Sequence, residues 1–338
     1  MRFLDYLHRA ADGHRFSGEE AAEAMGLLLE GEATAAQIAA FAMALRMRGE
    51  TGEELFGFAR ALRERVRRVD TGGMAVVDTC GTGGDGQGTF NVSTVAAFVA
   101  AGAGARVAKH GNRSLSSQCG SADIFEALGV KIALEPEQMG ACIREVGIGF
   151  LFAPALHPAL KHAQTARLEL KMRTVFNLLG PLANPAGARA QLVGAPSARA
   201  AELMADALAR LGLEHGFVVH GDDGMDEIST TAETLALEVR SGVVTRRRLR
   251  PEDFGVERAR LQDLVGAGKD VNVGIARAIL GGEKGPRRDV VLVNASAALV
   301  AAGLATGFTE GMKMGAASID SGAAEEKVAR LAEFTQRL

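Results

Sequence analysis

The sequence predicts an α/β protein in which a small all-helical domain precedes a larger α/β domain. That larger domain has a mainly parallel central sheet and a peripheral antiparallel hairpin. Three observations predict this. The first seventy residues read only as helices. From about Ala75, short apolar runs alternate with helical ones. A later segment, "TLALEVRSGVVTRRRLR", alternates on either side of Ser241-Gly242. A chain of 338 residues is long enough for two domains of ~150 residues each.

The helical start is marked by three capping boxes, "SGEE" at Ser17–Glu20, "TAAQ" at Thr34–Gln37 and "TGEE" at Thr51–Glu54. In each, a hydroxyl accepts from an early helix N–H and the acid or amide reaches back. Apolar residues at helical spacing follow, such as Ile38, Phe41 and Leu45, and Gly49 is placed to stop the helix. Beyond Ala75 the expected strands are "MAVVDT", "ARVAKHG", "VKIAL", "IGFLFA", "AQLVGA" and "GFVVHG". Between them lie the helical runs "STVAAFVAAGAG", "SADIFEALG", "PEQMGACIREVG" and "SARAAELMADALARLG". Such alternation with short connections indicates a parallel sheet covered by helices on both faces. The Ser241-Gly242 hairpin is expected at its periphery, and the last quarter reads as mostly helical.

Composition narrows the function. Hydrophobic residues make up 47% and charged residues 23%, the balance of a soluble globular protein. A formal charge of −3, no Trp and one Tyr argue against a nucleic-acid or membrane-surface role, which needs a basic face. Cys80, Cys119 and Cys142 lack metal or disulfide spacing and are expected as reduced thiols. The start carries charges throughout and no apolar leader, so a cytoplasmic location is expected. Val290 to Thr309 is chargeless and long enough to span a bilayer, but its Ala-rich composition and Gly303 and Gly307 favour a buried core helix.

The chemistry concentrates in three loops that follow strands. "GTGGDGQGTFNVST", Gly81 to Thr94, satisfies a dinucleotide GxGxxG on paper. Its helix begins too late, however, and Arg106 stands where an acid would be needed. The Walker A spacing of Gly83 to Gly88 fails because Thr89 replaces the Lys. What remains is a loop of bare amides running into Asn91, Ser93 and Thr94 at a helix N-terminus, an anion site on physical grounds. Asp85 within it suits a ribose hydroxyl, the loop amides or a metal. The second loop, "AKHGNRSLSSQCGSAD", offers Lys109, His110 and Arg113 as charge and donors, Ser114, Ser116 and Ser117 as hydroxyls, and Ser121 as an N-cap. The third, "HGDDGMDEIST", places Asp226 and Glu227 side by side, hard oxygen ligands of the kind Mg²⁺ takes together with phosphate and water.

"GTGGDGQGTFNVST", "KHGNRSLSSQCGSAD", "RTVFNLLGPLANP" and "HGDDGMDEIS", with the late "VVLVNASAAL", resemble the anthranilate phosphoribosyltransferase family in order and spacing over nearly the whole chain. The resemblance implies a fold of the nucleoside phosphorylase/phosphoribosyltransferase class. It also implies transfer of a phosphoribosyl group from phosphoribosyl pyrophosphate (PRPP) to the amine of anthranilate, with Mg²⁺, in tryptophan biosynthesis. It places Gly81, Gly84, Asp85, Thr89, Asn91, Ser93, Thr94, Lys109, Ser117 and Ser121 at PRPP. Ser93, Asp226 and Glu227 would hold Mg²⁺, and Gly81, Asn112 and Arg167 would contact anthranilate. No catalytic acid or base is assigned, because an aryl amine is already neutral and nucleophilic at pH 7; His110 is as well suited to a structural role. The resemblance further implies a homodimer formed through the helical domain, residues 1–70 joined by a segment near 170–188. Residues 75–338 would form the PRPP-binding domain, and no amidotransferase segment is expected. The alternatives are a pyrimidine nucleoside phosphorylase, which binds a single phosphate and does not need the acidic pair, and a non-catalytic relative that binds nucleic acid.

Overall fold

The structure is a computed structural model that describes residues 1–113 and 119–338. Four helices open the chain, α1 (Phe3–Ala11), α2 (Gly18–Leu29), α3 (Ala35–Arg48) and α4 (Gly52–Glu64). The last three begin at the predicted boxes. Ser17, Thr34 and Thr51 accept from the N–H groups of Glu20, Gln37 and Glu54, whose side chains accept in return from the cap backbone. Gly49 ends α3 with a φ of 78°, a value that glycine adopts freely. Glu54 is fully buried and accepts from Phe16 N at 2.8 Å, Thr51 N at 2.9 Å and Arg48 at 2.5 Å. Its charge is thus satisfied inside the bundle rather than left unpaired.

The sheet begins with β1 (Val77–Gly81), then α5 (Val92–Gly102), β2 (Val107–Gly111), α6 (Ser121–Ala127), α7 (Pro136–Glu145) and β3 (Ile148–Phe152). The chain next runs through α8 (Ala153–Leu156), α9 (Lys161–Leu170) and α10 (Phe176–Leu179) before rejoining the sheet at β4 (Ala190–Gly194). After α11 (Ala198–Arg210) come β5 (His215–Gly221), β6 (Thr234–Arg240) and β7 (Val243–Leu249). The last helices are α12 (Lys269–Leu280), α13 (Pro286–Ala301), α14 (Phe308–Asp320) and α15 (Ala323–Gln336). The strand order is β3-β2-β1-β4-β5-β6-β7, parallel through β5 and antiparallel for the last two pairs. The predicted hairpin turns at Ser241 and Gly242, both at positive φ, the primed turn that matches strand twist.

Period-two alternation divides the side chains of β4, β5 and β6 between two cores, while Val77, Val107 and Ile148 of the other strands lie in a third. Val193, Val218, Leu235, Leu237 and Val239 point to a core shared with α11 and the N-terminal helices. Leu192, Phe217, Val219 and Ala236 face the opposite side, under Val293 and Ala297 of α13. Ala163, Val175, Phe176 and Leu182 join the first of these cores, so the segment returning from α9 packs with the N-terminal bundle. The chargeless stretch from Val290 is buried in α13 only as far as Ala301; Gly303 and Leu304 are exposed and a new helix begins at Phe308, and among the described residues no helix is long and apolar enough to cross a membrane.

One expected strand is absent. "VKIAL" alternates correctly, with Val130, Ile132 and Leu134 buried and Lys131 and Ala133 exposed, but among the described residues it pairs with no strand. α15 takes its place as partner: Thr335 Oγ1 accepts from Lys131 N at 3.1 Å and Gln336 donates to Gly129 O at 3.0 Å. The apolar alternation reflects packing under α15, not a ladder.

Candidate active site at the strand ends

β1, β4 and β5 all finish at one end of the parallel sheet, with Gly81 in register with Gly194. Asp226, from the loop after β5, lies across these two glycines. A β-carbon on Gly81 would stand 2.6 Å from Asp226 Oδ2, and one on Gly194 would strike the Asp226 backbone oxygen. Glycine is required at Gly194, where the obstacle is backbone, whereas a β-carbon at Gly81 would push the Asp226 carboxylate aside. In the loop itself the reason is conformational: Gly83, Gly84, Gly86 and Gly88 have φ values of 68°, 64°, 81° and 67°. The loop's far end is tied down, with Thr89 bridging Val265 and Gly88 O accepting from Gly266 N at 2.8 Å.

The acids engage the amides that an anion would use. Asp226 Oδ2 accepts from Gly83 N at 2.8 Å, and Glu227 Oε1 accepts from Ser93 N, in the first turn of α5, at 3.1 Å. Both acids are buried, and burial holds their carboxyls above the usual range, reinforced by the neighbouring charges of Asp85 for Asp226 and of Asp226 for Glu227. Asp85 accepts from Gln87 N at 3.2 Å, while its Oδ2 is buried without a hydrogen-bond partner among the described residues. Surplus negative charge and free hard oxygens in one place fit a divalent cation such as Mg²⁺. Among the described residues no group of three His, Cys, Asp or Glu is arranged to enclose an ion.

Lys109 and His110 sit on β2 beside β1. Lys109 is buried, its Nζ donates to Thr79 O, and its charge partly offsets the burial that holds the carboxyls of Asp78 and Glu227 above the usual range. The hydrogen bonds of His110 assign its tautomer. Nδ1 meets Gly180 O at 3.1 Å and so carries the proton, leaving Nε2 to accept from His157 Nε2 at 3.2 Å. Both rings are neutral, burial pushing His110 down to about 3 and His157 to about 4. With its lone pair engaged by His157, His110 is not set to accept a proton in this arrangement.

The rest of this loop corrects the sequence reading twice. Arg113 does not face the glycine loop; it pairs with Asp123 at 2.7 Å and Glu126 at 3.0 Å. Ser121 is the first residue of α6, with Gly120 as N-cap, and its hydroxyl meets Asn112 O at 3.4 Å. Asn112 is exposed beside it. Ser117 lies outside the described residues, as do Ser114 and Ser116. At the start of α5, Thr94 is buried, whereas Asn91 spends its side chain on Cys119 O at 3.1 Å and Asn272 Nδ2 at 3.0 Å. Arg167, on α9, is a half-buried guanidinium with no acid paired to it among the described residues, and burial lowers its proton affinity.

Three supporting residues escaped the sequence reading. Gly194 was hidden as an ordinary strand end. Asn294, inside the noted "VVLVNASAAL", is fully buried and accepts from Ile228 N at 2.9 Å while donating to Ile228 O at 3.0 Å, fixing the residue after the acidic pair. Arg173 donates to Gly83 O and Gly84 O. Beside it a cleft of about 360 Å³ opens between Arg46 and Glu50 of the helical domain and Gly84 and Asp85 of the loop.

Comparison with known proteins shows the family. The glycosyl transferase family helical bundle domain matches residues 4–66, and the a/b domain of the same family matches residues 73–325. The anthranilate phosphoribosyltransferase of Solibacter usitatus is 60% identical over 336 residues, covering 99% of each chain. That of Symbiobacterium thermophilum is 53% identical, over 98% of this chain and 97% of its own. The crystal structure of the Thermus thermophilus enzyme superposes with a TM-score of 0.93 at 44% identity, covering 98% of this chain and 99% of the other. The Saccharomyces cerevisiae enzyme in complex with PRPP and Mg superposes with a TM-score of 0.90 at 27% identity, covering 99% and 98%.

Proposed function

This chain belongs to the anthranilate phosphoribosyltransferase family, and we propose that the loops at the ends of β1, β2 and β5 are where it holds PRPP and Mg²⁺. It transfers the phosphoribosyl group of PRPP to the amine of anthranilate, giving N-(5-phosphoribosyl)anthranilate and pyrophosphate, a step of tryptophan biosynthesis. The bond from ribose C1 to pyrophosphate oxygen breaks, a C1–N bond forms, and the amine gives up one proton. The relatives support this reaction rather than nucleoside phosphorolysis or nucleic-acid binding.

One observation carries the site assignment: the glycine-loop amides and the Asp226–Glu227 pair meet, hydrogen-bonded, at the same strand ends. Gly81, Gly84, Asp85 and Thr89 supply the loop, with Asn91, Ser93 and Thr94 at the helix start and Lys109, Ser117 and Ser121 from the second loop. Ser93, Asp226 and Glu227 hold Mg²⁺, whose charge makes pyrophosphate a better leaving group. Arg167 offers a half-buried cation to the anthranilate carboxylate, with Gly81 and Asn112 as further contacts. Orientation does most of the remaining work, for which roughly 7–11 kcal/mol is available at best. No side chain is assigned as a base, in keeping with the engaged lone pair of His110.

The chain divides near residues 70–75, with the segment near 170–188 packing on the helical side. Two copies pair through that helical domain, where Met47, Leu168 and Met172 lie exposed on and just after α3 and α9. A cytoplasmic location suits its three buried cysteines, none of which is in a disulfide. The test is loss of anthranilate fluorescence on mixing protein, PRPP and Mg²⁺. PRPP-dependent loss that EDTA abolishes is expected. No loss from folded protein would overturn the assignment.

A further inference from the structure

Arg173 precedes α10 and belongs to neither the glycine loop nor the acidic pair, yet its Nη2 donates to both Gly83 O and Gly84 O. These two carbonyls belong to consecutive glycines at positive φ, 68° and 64°. No peptide bond of the described residues is cis. In a planar trans peptide the carbonyl and the following N–H point in opposite directions. Drawing both carbonyls toward one guanidinium therefore turns the N–H groups of Gly84 and Asp85 the other way. Successive amides presented in this manner form a concave anion site. From its other side the loop is held by Asp226, which accepts from Gly83 N at 2.8 Å.

Arg173 is itself held from the helical domain. Arg46, in the last turn of α3, donates to the Arg173 backbone oxygen. The next residue is fixed as well, since Thr174 N donates to Asn177 Oδ1 at 3.0 Å at the start of α10. A continuous chain of bonds thus runs from α3 through Arg173 to the glycine loop.

We propose that Arg173 is a positioning residue for the phosphate loop. It holds the Gly83 and Gly84 carbonyls so that the loop amides face the substrate phosphates, and through Arg46 it ties that arrangement to the helical domain. The inference rests on the reading of the glycine loop as the PRPP site.

The experiment is titration calorimetry of PRPP, with saturating Mg²⁺, into wild type, Arg173→Ala, Arg173→Lys and Arg46→Ala. Melting temperatures and KM values for both substrates accompany it. Arg173→Ala is expected to weaken PRPP binding about tenfold or more, the size of effect expected for a lost charged hydrogen bond. Its KM for PRPP should rise with that for anthranilate little changed. Arg173→Lys, which keeps a cationic donor, should recover part of the loss, and Arg46→Ala should show a smaller effect of the same kind. PRPP binding by folded Arg173→Ala as tight as wild type would overturn the proposal. So would an equal rise in both KM values with a lowered melting temperature that Lys does not restore. Wild type that fails to bind PRPP would instead remove the phosphate reading, and the inference with it.

Discussion

Gly194 shows how much of the site rests on what a residue lacks. Its hydrogen leaves room for the Asp226 backbone oxygen, which any β-carbon would displace. Gly194→Ala is expected to cost about 1–3 kcal/mol, the usual range for overpacking, and to raise the Mg²⁺ needed for half-maximal rate; urea unfolding and a metal titration check the two effects. At Arg167 the sign of the substrate effect is the test: Arg167→Ala should raise the KM for anthranilate more than that for PRPP, and equal rises would indicate a structural role. The glycine cluster, Asp85 and the Asp226–Glu227 pair were legible in the sequence because adjacency along the chain already groups them. Gly194 was not, because its constraint comes from a residue 32 positions away that only the sheet register brings near. Arg113 was misread for the opposite reason: its neighbours in sequence include Asp123 and Glu126, one helix further on, which claim it.

Elements were read best where their signals are local. The three capping boxes placed α2, α3 and α4, since each box needs only residues N-cap to N3. "VKIAL" failed because alternation records which side chains are buried, while strand pairing depends on an edge that α15 had already covered. α13 illustrates a buried helix with one polar exception. Asn294 lies among apolar neighbours and is satisfied by the Ile228 backbone and by Val290 O at 2.9 Å. Asn294→Leu should leave the buried N–H and C=O of Ile228 without that partner, at about 1–3 kcal/mol for each group left unsatisfied. It should also loosen the acidic pair, raising the Mg²⁺ requirement. Calorimetric melting and a metal titration on this variant check both effects, and a lowered melting temperature with an unchanged titration would confine Asn294 to stability.

At the scale of the molecule, the buried His110–His157 pair links the strand ends to the chain's stability. Their folded values of about 3 and about 4 lie below the ordinary 6.5. The unfolded chain therefore takes up protons below about pH 6.5 that the folded chain does not. Their contribution to stability is full above that pH and is lost as pH falls toward the folded values. Asp226 and Glu227, held above the carboxylate range, act in the opposite sense, because protonation relieves buried like charges. His157→Gln, which cannot titrate, is expected to flatten the acid limb of unfolding free energy against pH; an unchanged limb would remove the pair from that role. The parallel sheet and the helical start were legible in the sequence, whereas the packing of the segment around Phe176 onto the N-terminal bundle joins residues more than a hundred positions apart and has no local signature. The central claim is that Asp226 and Glu227 serve the transfer through Mg²⁺ at the glycine loop. Initial rates of anthranilate fluorescence loss against Mg²⁺ concentration, for wild type and Asp226→Asn, test it most directly. A much higher Mg²⁺ requirement and a lower maximal rate are expected in a variant that remains folded. Superimposable curves would contradict it.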